Sequence, residues 1–232
     1  MTKIAFFVEG KTERIFIENF LDSYYTHPFF NVESYELKGQ RATIVTKSNY
    51  EDDTVNYQFL IFDVGGDGRV ASAIYERHNH LINQIGFSHI FGIRDLFPYS
   101  IEQLDSIETI FNKIYNNDPI LQKISLVVAI MEIEAWFLAD FRFFEKVNPG
   151  LTSTTINESL NINIEEDDIE AYKHPAKIID KIYQIVGRHY RKRESDSYSI
   201  CSHIDFDDLC LNQNKRSRIP SFDLFIQKLD EL

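Results

Sequence analysis

The chain opens with an apolar run, residues 3–8 ("KIAFFV"), that stops at Glu9-Gly10-Lys11-Thr12-Glu13 and gives way to Ile15, Phe16, Ile17, Phe20, Leu21 and Tyr24. A short apolar run ended by a polar turn predicts a buried strand, and the spacing after it predicts a helix with one apolar stripe. The unit recurs. Residues 57–63 ("YQFLIFD") lead through a glycine cluster into 70–86, where Val70, Ile74, Leu81, Ile82 and Ile85 suit a helix ending near Gly86. Residues 87–95 predict a third strand and 101–115 a helix carrying Leu104, Ile107, Ile110, Phe111 and Ile114; residues 123–130 predict a fourth strand running into "MEIEAWFLAD". Strands alternating with helices predict an α/β fold with a mostly parallel sheet and helices on both faces. Between the first helix and the second core strand, β-branched and aromatic residues flank Lys38-Gly39-Gln40, which predicts an edge hairpin.

After about residue 140 the pattern turns helical and loopy. "HPAKIIDKIYQIV" places Pro175 just inside a helix start, and "SFDLFIQKLDEL" is an amphipathic helix with Ser221 as its expected N-cap. The division expected is therefore a core of residues 1–140 and a helical C-terminal subdomain of 141–232. Trp136 and Phe137 are expected in the core.

At 232 residues and 44% hydrophobic content there is ample material for a packed interior. No stretch of about 18 apolar residues exists to cross a membrane, and no basic-then-apolar leader opens the chain, so a cytoplasmic protein is expected. Cys201 and Cys210 lack metal-site spacing and are expected to be reduced thiols. The net charge of −12 opposes a uniformly basic nucleic-acid wrapper. Local runs differ: Arg188, Arg191, Lys192 and Arg193, and then Lys215, Arg216 and Arg218, are either solvated positions or a phosphate-contacting patch.

Gly10-Lys11-Thr12 invites comparison with a nucleotide loop, but the residue five before Gly10 is Ala5, inside the first strand, so no residues remain to curl around phosphates. The stretch 63–69 ("DVGGDGR") has a GTPase-switch likeness without the accompanying loop. Gly65, Gly66 and Gly68, like Gly10 and Lys11, are candidates for close approach to a phosphate, or the three glycines make a tight turn. No Gly-x-Ser-x-Gly or His-Glu-x-x-His occurs.

An acidic residue follows every candidate strand: Glu9, Asp63, Asp95, and Glu132 with Glu134. In an open parallel sheet the carboxyl ends share one edge, where ligands bind. Carboxylates gathered there repel one another unless protons or a cation intervene, and Mg²⁺ or Mn²⁺ suits such oxygen donors. Of the last pair Glu134 is preferred, because residues two apart on a helix do not share a face.

"VEGKTE" resembles the first motif of Toprim domains, particularly the OLD type, and with "FDVGGDG", "IFGIRDLFP", "MEIEAWFLAD", "HPAKIIDKI" and "IPSFDLFIQKL" the chain resembles the DUF4276 family of Toprim-like proteins over most of its length. The resemblance implies a metal-dependent nuclease acting on DNA or RNA, in phage-defence modules that often include an ATPase partner. It makes Glu9 a metal ligand or general acid/base, Glu13 a second ligand and Asp95 the first Asp of an Asp-x-Asp motif. Phe97 stands where the second Asp belongs; Asp63, Glu132 or Glu134 then supplies the missing oxygen. Glu9, Asp95 and Glu134 are the expected catalytic set. The rival expectation is a catalytically inactive binding subunit for an ATPase, and a nucleotide switch dependent on Lys11 is a third. A homodimer is compatible with either of the first two.

Overall fold

The computed structural model describes residues 1–25, 29–39, 41–48, 55–66, 68–115 and 119–232. In chain order the elements are β1 (Thr2–Val8), α1 (Lys11–Tyr24), β2 (Phe30–Lys38), β3 (Arg41–Lys47), β4 (Tyr57–Asp63), α2 (Val70–Asn79), β5 (His89–Asp95), α3 (Leu104–Ile114) and β6 (Ile124–Ala129). Eight further α-helices follow: α4 (Glu134–Ala139), α5 (Phe143–Val147), α6 (Ser153–Leu160), α7 (Pro175–Gln184), α8 (Glu194–Cys201), α9 (Phe206–Leu211), α10 (Gln213–Arg216) and α11 (Pro220–Asp230). The strands form one sheet in the order β3-β2-β4-β1-β5-β6, parallel except for β3, which pairs antiparallel with β2 at the edge. This is the mixed α/β, Rossmann-like architecture the alternating pattern predicts, with the hairpin at the edge as expected; Gln40 of its turn lies outside the described residues.

Period-two alternation divides the central strand between two cores. Ile4, Phe6 and Val8 of β1 face α1 and the helices beyond residue 133, while Ala5 and Phe7 face α2 and α3. On the first face, Phe6 stacks on Phe91 and meets Phe225 of α11 edge-on. Trp136 is wholly buried against Phe16 and Phe222 and donates its indole N–H to Ser221 Oγ at 2.8 Å. The sequence pattern sets a helical subdomain apart at residue 141, yet no break in packing marks that position, because α11 packs directly on the sheet in the same core as α1. Ser221 is also not the N-cap expected of it: Ile219 holds that place with Pro220 at the first helical position. The Ser221 hydroxyl instead links Trp136 to Glu170.

On the opposite face Gly92 lets α2 approach β5. A Cβ built there lies 2.8 Å from Ile74 Cδ1 and 2.9 Å from Val70 Cγ1. Gly92→Ala is therefore expected to destabilise the protein by about 1–3 kcal/mol through overpacking, measured by urea titration; a change below about 0.5 kcal/mol shows that α2 can withdraw. No helix among the described residues is long and apolar enough to cross a membrane, and both cysteines are free and buried.

Candidate active site

The parallel strands β4, β1, β5 and β6 lie side by side, and an acidic residue ends or follows each of them. Asp63 is the last residue of β4 and Asp95 the last of β5; Glu9 follows β1, and Glu132 and Glu134 follow β6. In register, Val8 pairs with Asp63 on one side and Ile93 on the other, so Glu9 emerges between Asp63 and Asp95. Gly10 then starts α1, whose first turn brings Glu13 over the same edge. Glu9, Glu13, Asp63 and Asp95 together line an open cleft of about 390 Å³ with Gly10, Lys11, Thr12, Gly65, Gly66 and Lys192.

The four carboxylates differ in what holds them. Asp63 accepts the Gly65 N–H at 2.9 Å, closing a turn in which Gly65 and Gly66 have φ of 72° and 143°, conformations that favour glycine. Glu9 Oε1 lies 3.7 Å from Arg94 Nε. Asp95 accepts the Ile133 N–H at 2.8 Å, tying the end of β5 to the loop after β6. Burial raises the pKa of Glu13 to about 7, helped by the charges of Glu134 and Glu9. Asp95 is raised well above the usual carboxylate range by burial and then by Glu13 and Glu134, and burial also raises Asp63. A cleft that drives its carboxylates toward the protonated form favours either protons or a cation.

Glu134 and Glu132 depart from expectation. Glu134 is fully buried behind the cleft, accepting the Tyr190 hydroxyl at 2.8 Å and pairing with Lys192 at 3.1 Å. Glu132 lies in the loop before α4 rather than on it, so the one-face argument for choosing between the two does not hold: Lys192 pairs with Glu132 as well, at 3.0 Å. The other Glu132 oxygen accepts the Ala176 N–H in the first turn of α7, at 3.1 Å. Neither is a lining residue of the cleft.

The basic runs are also redistributed. Lys192, read from the sequence as part of a solvated or phosphate-contacting run, enters the cleft on a left-handed backbone, φ 52°, which costs a non-glycine residue about 1 kcal/mol. Its ammonium is raised further by Glu134 and Glu132 against the opposing effect of burial. Lys215 is buried against Asp140 and Asp208, Arg216 pairs with Asp223 and donates to the Cys210 carbonyl, and Arg218 donates to the carbonyls of Ile164 and Asp167. These three are internal fasteners and not a surface patch. Arg188 reaches the Val147 carbonyl, while Arg191 and Arg193 are exposed.

The phosphate-binding assignments narrow likewise. Lys11 pairs with Glu36 and Glu194, the Gly65 N–H is taken by Asp63, and the Gly66 N–H donates to the Glu9 carbonyl. The glycine cluster is thus a tight turn that supports Asp63 and Glu9, and Gly68 lines a neighbouring groove beside α3. Gly10 keeps its place on the cleft, where a Cβ would come 3.4 Å from Glu13 Oε2. Thr12 and Arg94 are site residues that the acidic pattern gave no reason to single out.

The same chain matches the family described as "Domain of unknown function (DUF4276)" over residues 8–230, from the end of β1 to the end of α11. The chain belongs to the DUF4276 family. No curated protein and no solved structure matches it. The DUF4276 match therefore includes both the cleft and the segment between α7 and α8 that supplies Lys192.

The donor set, all carboxylate oxygen, fits a hard divalent cation. Among the described residues no three His, Cys, Asp or Glu side chains stand together in a ready-made ligand cage; Glu9, Glu13 and Asp95 are the residues that would hold such a cation.

Proposed function

We propose that this DUF4276 protein is an Mg²⁺- or Mn²⁺-dependent nuclease that hydrolyses phosphodiester bonds of DNA or RNA, serving as a phage-defence effector beside an ATPase partner. The observation that carries the proposal is the convergence of Glu9, Glu13, Asp63 and Asp95 on one solvent-open cleft at the carboxyl edge of the sheet. The Toprim likeness of "VEGKTE" agrees with it. Glu9, Glu13 and Asp95 would hold the cation, with Asp63 kept in place by its bond to Gly65. A divalent cation in such a site lowers the pKa of a bound water and stabilises negative charge on a phosphodiester oxygen. Glu9 or Glu13 orients the attacking water, Arg94 steadies Glu9, and Lys192 offers positive charge to an incoming phosphate.

A second reading has its own support. Lys192 already gives the cleft a cation and Phe97 occupies the second Asp position, which favours a non-catalytic binding subunit for an ATPase. Plasmid and tRNA incubated with Mg²⁺ or Mn²⁺ separate the two. Cleavage by the wild type, abolished by EDTA and reduced at least about a hundredfold by Glu9→Ala, is the expected result. Equal cleavage by both proteins, or none by either across both metals and substrates, overturns the nuclease.

A further inference from the structure

Beside the cleft lies a larger cavity, about 670 Å³, built from the segment that leaves β5, the loop after β6 and the approach to α7. Its aromatic lining comes from Phe97, Tyr99 and His174, with Ile101 and Met131 adding apolar surface and Lys173 a positive charge. Phe97 and His174 meet edge to face, their ring centroids 5.3 Å apart. Phe97 and Tyr99, two and four residues after Asp95, are 40% and 42% exposed.

Arg94 lines neither the cavity nor the cleft but stands between Tyr99 and Glu9, in a groove beside α3 that it shares with Tyr99. Its guanidinium carbon lies 5.5 Å from the centre of the Tyr99 ring, and its Nε lies 3.7 Å from Glu9. One guanidinium therefore spans the distance between an exposed aromatic face and the carboxylate edge. That is the scale of a single nucleotide, with its flat base at one end and its phosphate at the other. Exposed aromatic rings joined to a basic group are the usual platform for unpaired bases, because every base has a π face. A base inside a duplex keeps both faces stacked and cannot enter such a cavity without flipping. Glu102, Asp168 and Glu170 on the same lining outnumber Lys173, so the cavity suits an uncharged base and leaves the phosphate outside it, on the Arg94 side.

We infer that the Phe97–Tyr99–His174 cavity receives an unpaired nucleobase of the substrate, with the adjoining phosphate directed by Arg94 toward the carboxylate cleft. The inference rests on the hydrolytic role proposed above and narrows it to single-stranded or locally unpaired nucleic acid.

Binding can be read without catalysis. A single-stranded 12-mer containing 2-aminopurine is titrated with the wild-type protein in EDTA, alongside its duplex and an oligonucleotide of the same length bearing abasic sites. Quenching of the 2-aminopurine, with affinity about tenfold above that for the duplex and the abasic strand, is expected. Phe97→Leu and Tyr99→Leu should each lose about tenfold in affinity while melting as folded proteins, and Phe97→Tyr should retain it. Equal binding of the abasic strand by the wild type overturns the inference whether or not the leucine variants fold. So does absence of quenching, the outcome expected if a peptide occupies the cavity. Cleavage assays on the same proteins distinguish the two proposals. Quenching that depends on Phe97 and Tyr99 without cleavage by any of them leaves the base site standing and removes the nuclease. Cleavage with no difference between intact and abasic strands removes the base site alone.

Discussion

Glu13→Gln is expected to raise the melting temperature at pH 8 and to flatten its dependence on pH between about 4.5 and 7. In the folded chain the Glu13 carboxyl is raised from 4.5 to about 7 by burial and by Glu134 and Glu9, so the native state holds this proton more tightly than the unfolded chain does. Stability from that proton is complete below about 4.5 and is lost as pH rises toward 7, the opposite of the usual behaviour of a salt-bridged carboxylate. The loss is on the order of a few kcal/mol. A neutral glutamine removes the charge that burial penalises, and so removes Glu13's share of the slope, while Asp95 and Asp63, raised likewise, keep theirs. The same logic sets the response to metal: Mg²⁺ or Mn²⁺ should stabilise the wild type more at pH 8 than at pH 5, where the proton already occupies the carboxyl, and should stabilise Glu13→Gln far less. Calorimetric scans across this range in EDTA and in metal measure both effects. A wild-type stability that rises steadily from pH 5 to 8 without metal would show that Glu13 is ionised at little cost.

Asp140→Ala should be among the most damaging single changes in the chain. The Asp140 carboxylate is fully buried, holds the buried ammonium of Lys215 and accepts the Asp205 N–H at 2.8 Å. Truncation leaves Lys215 with Asp208 alone and strips the N-cap residue of α9 of its acceptor. Breaking a buried pair from one side costs about 3–5 kcal/mol, because the remaining charge stays out of water. Removing both charges together, as Asp140→Asn with Lys215→Met, should recover part of the loss. Urea denaturation of the three proteins tests this; a loss below about 1 kcal/mol for Asp140→Ala would mean that water reaches Lys215.

The sheet was legible because each of its core strands is a short apolar run ended by a polar turn, and Gly86, Pro175 and the hairpin around Gly39 are local punctuation with local consequences. The row of carboxylates was legible for the same reason, since parallel strands must end at one edge. What packs against that edge was not legible. Nothing local announces that Lys192, inside a run of basic residues, reaches the cleft on a left-handed backbone, because its partners Glu132 and Glu134 are about sixty residues away. Helical spacing cannot choose between Glu132 and Glu134, because α4 begins only at Glu134. Lys215, Arg216 and Arg218 look like a patch in one dimension and become fasteners in three. The apolar stripe of α11 was visible, but not that the sheet itself would bury it.

The left-handed turn at Lys192 ties the two halves of the chain together in a way that bears on how the protein can be dissected. A fragment cut after residue 140 would take away the ammonium that sits beside Glu134, and would expose Phe6, Phe91 and Trp136 where α11 now covers them. Such a piece would be an acidic edge without its counter-charge on a sheet without its lid, so the smallest unit fit for studying this site is the whole span.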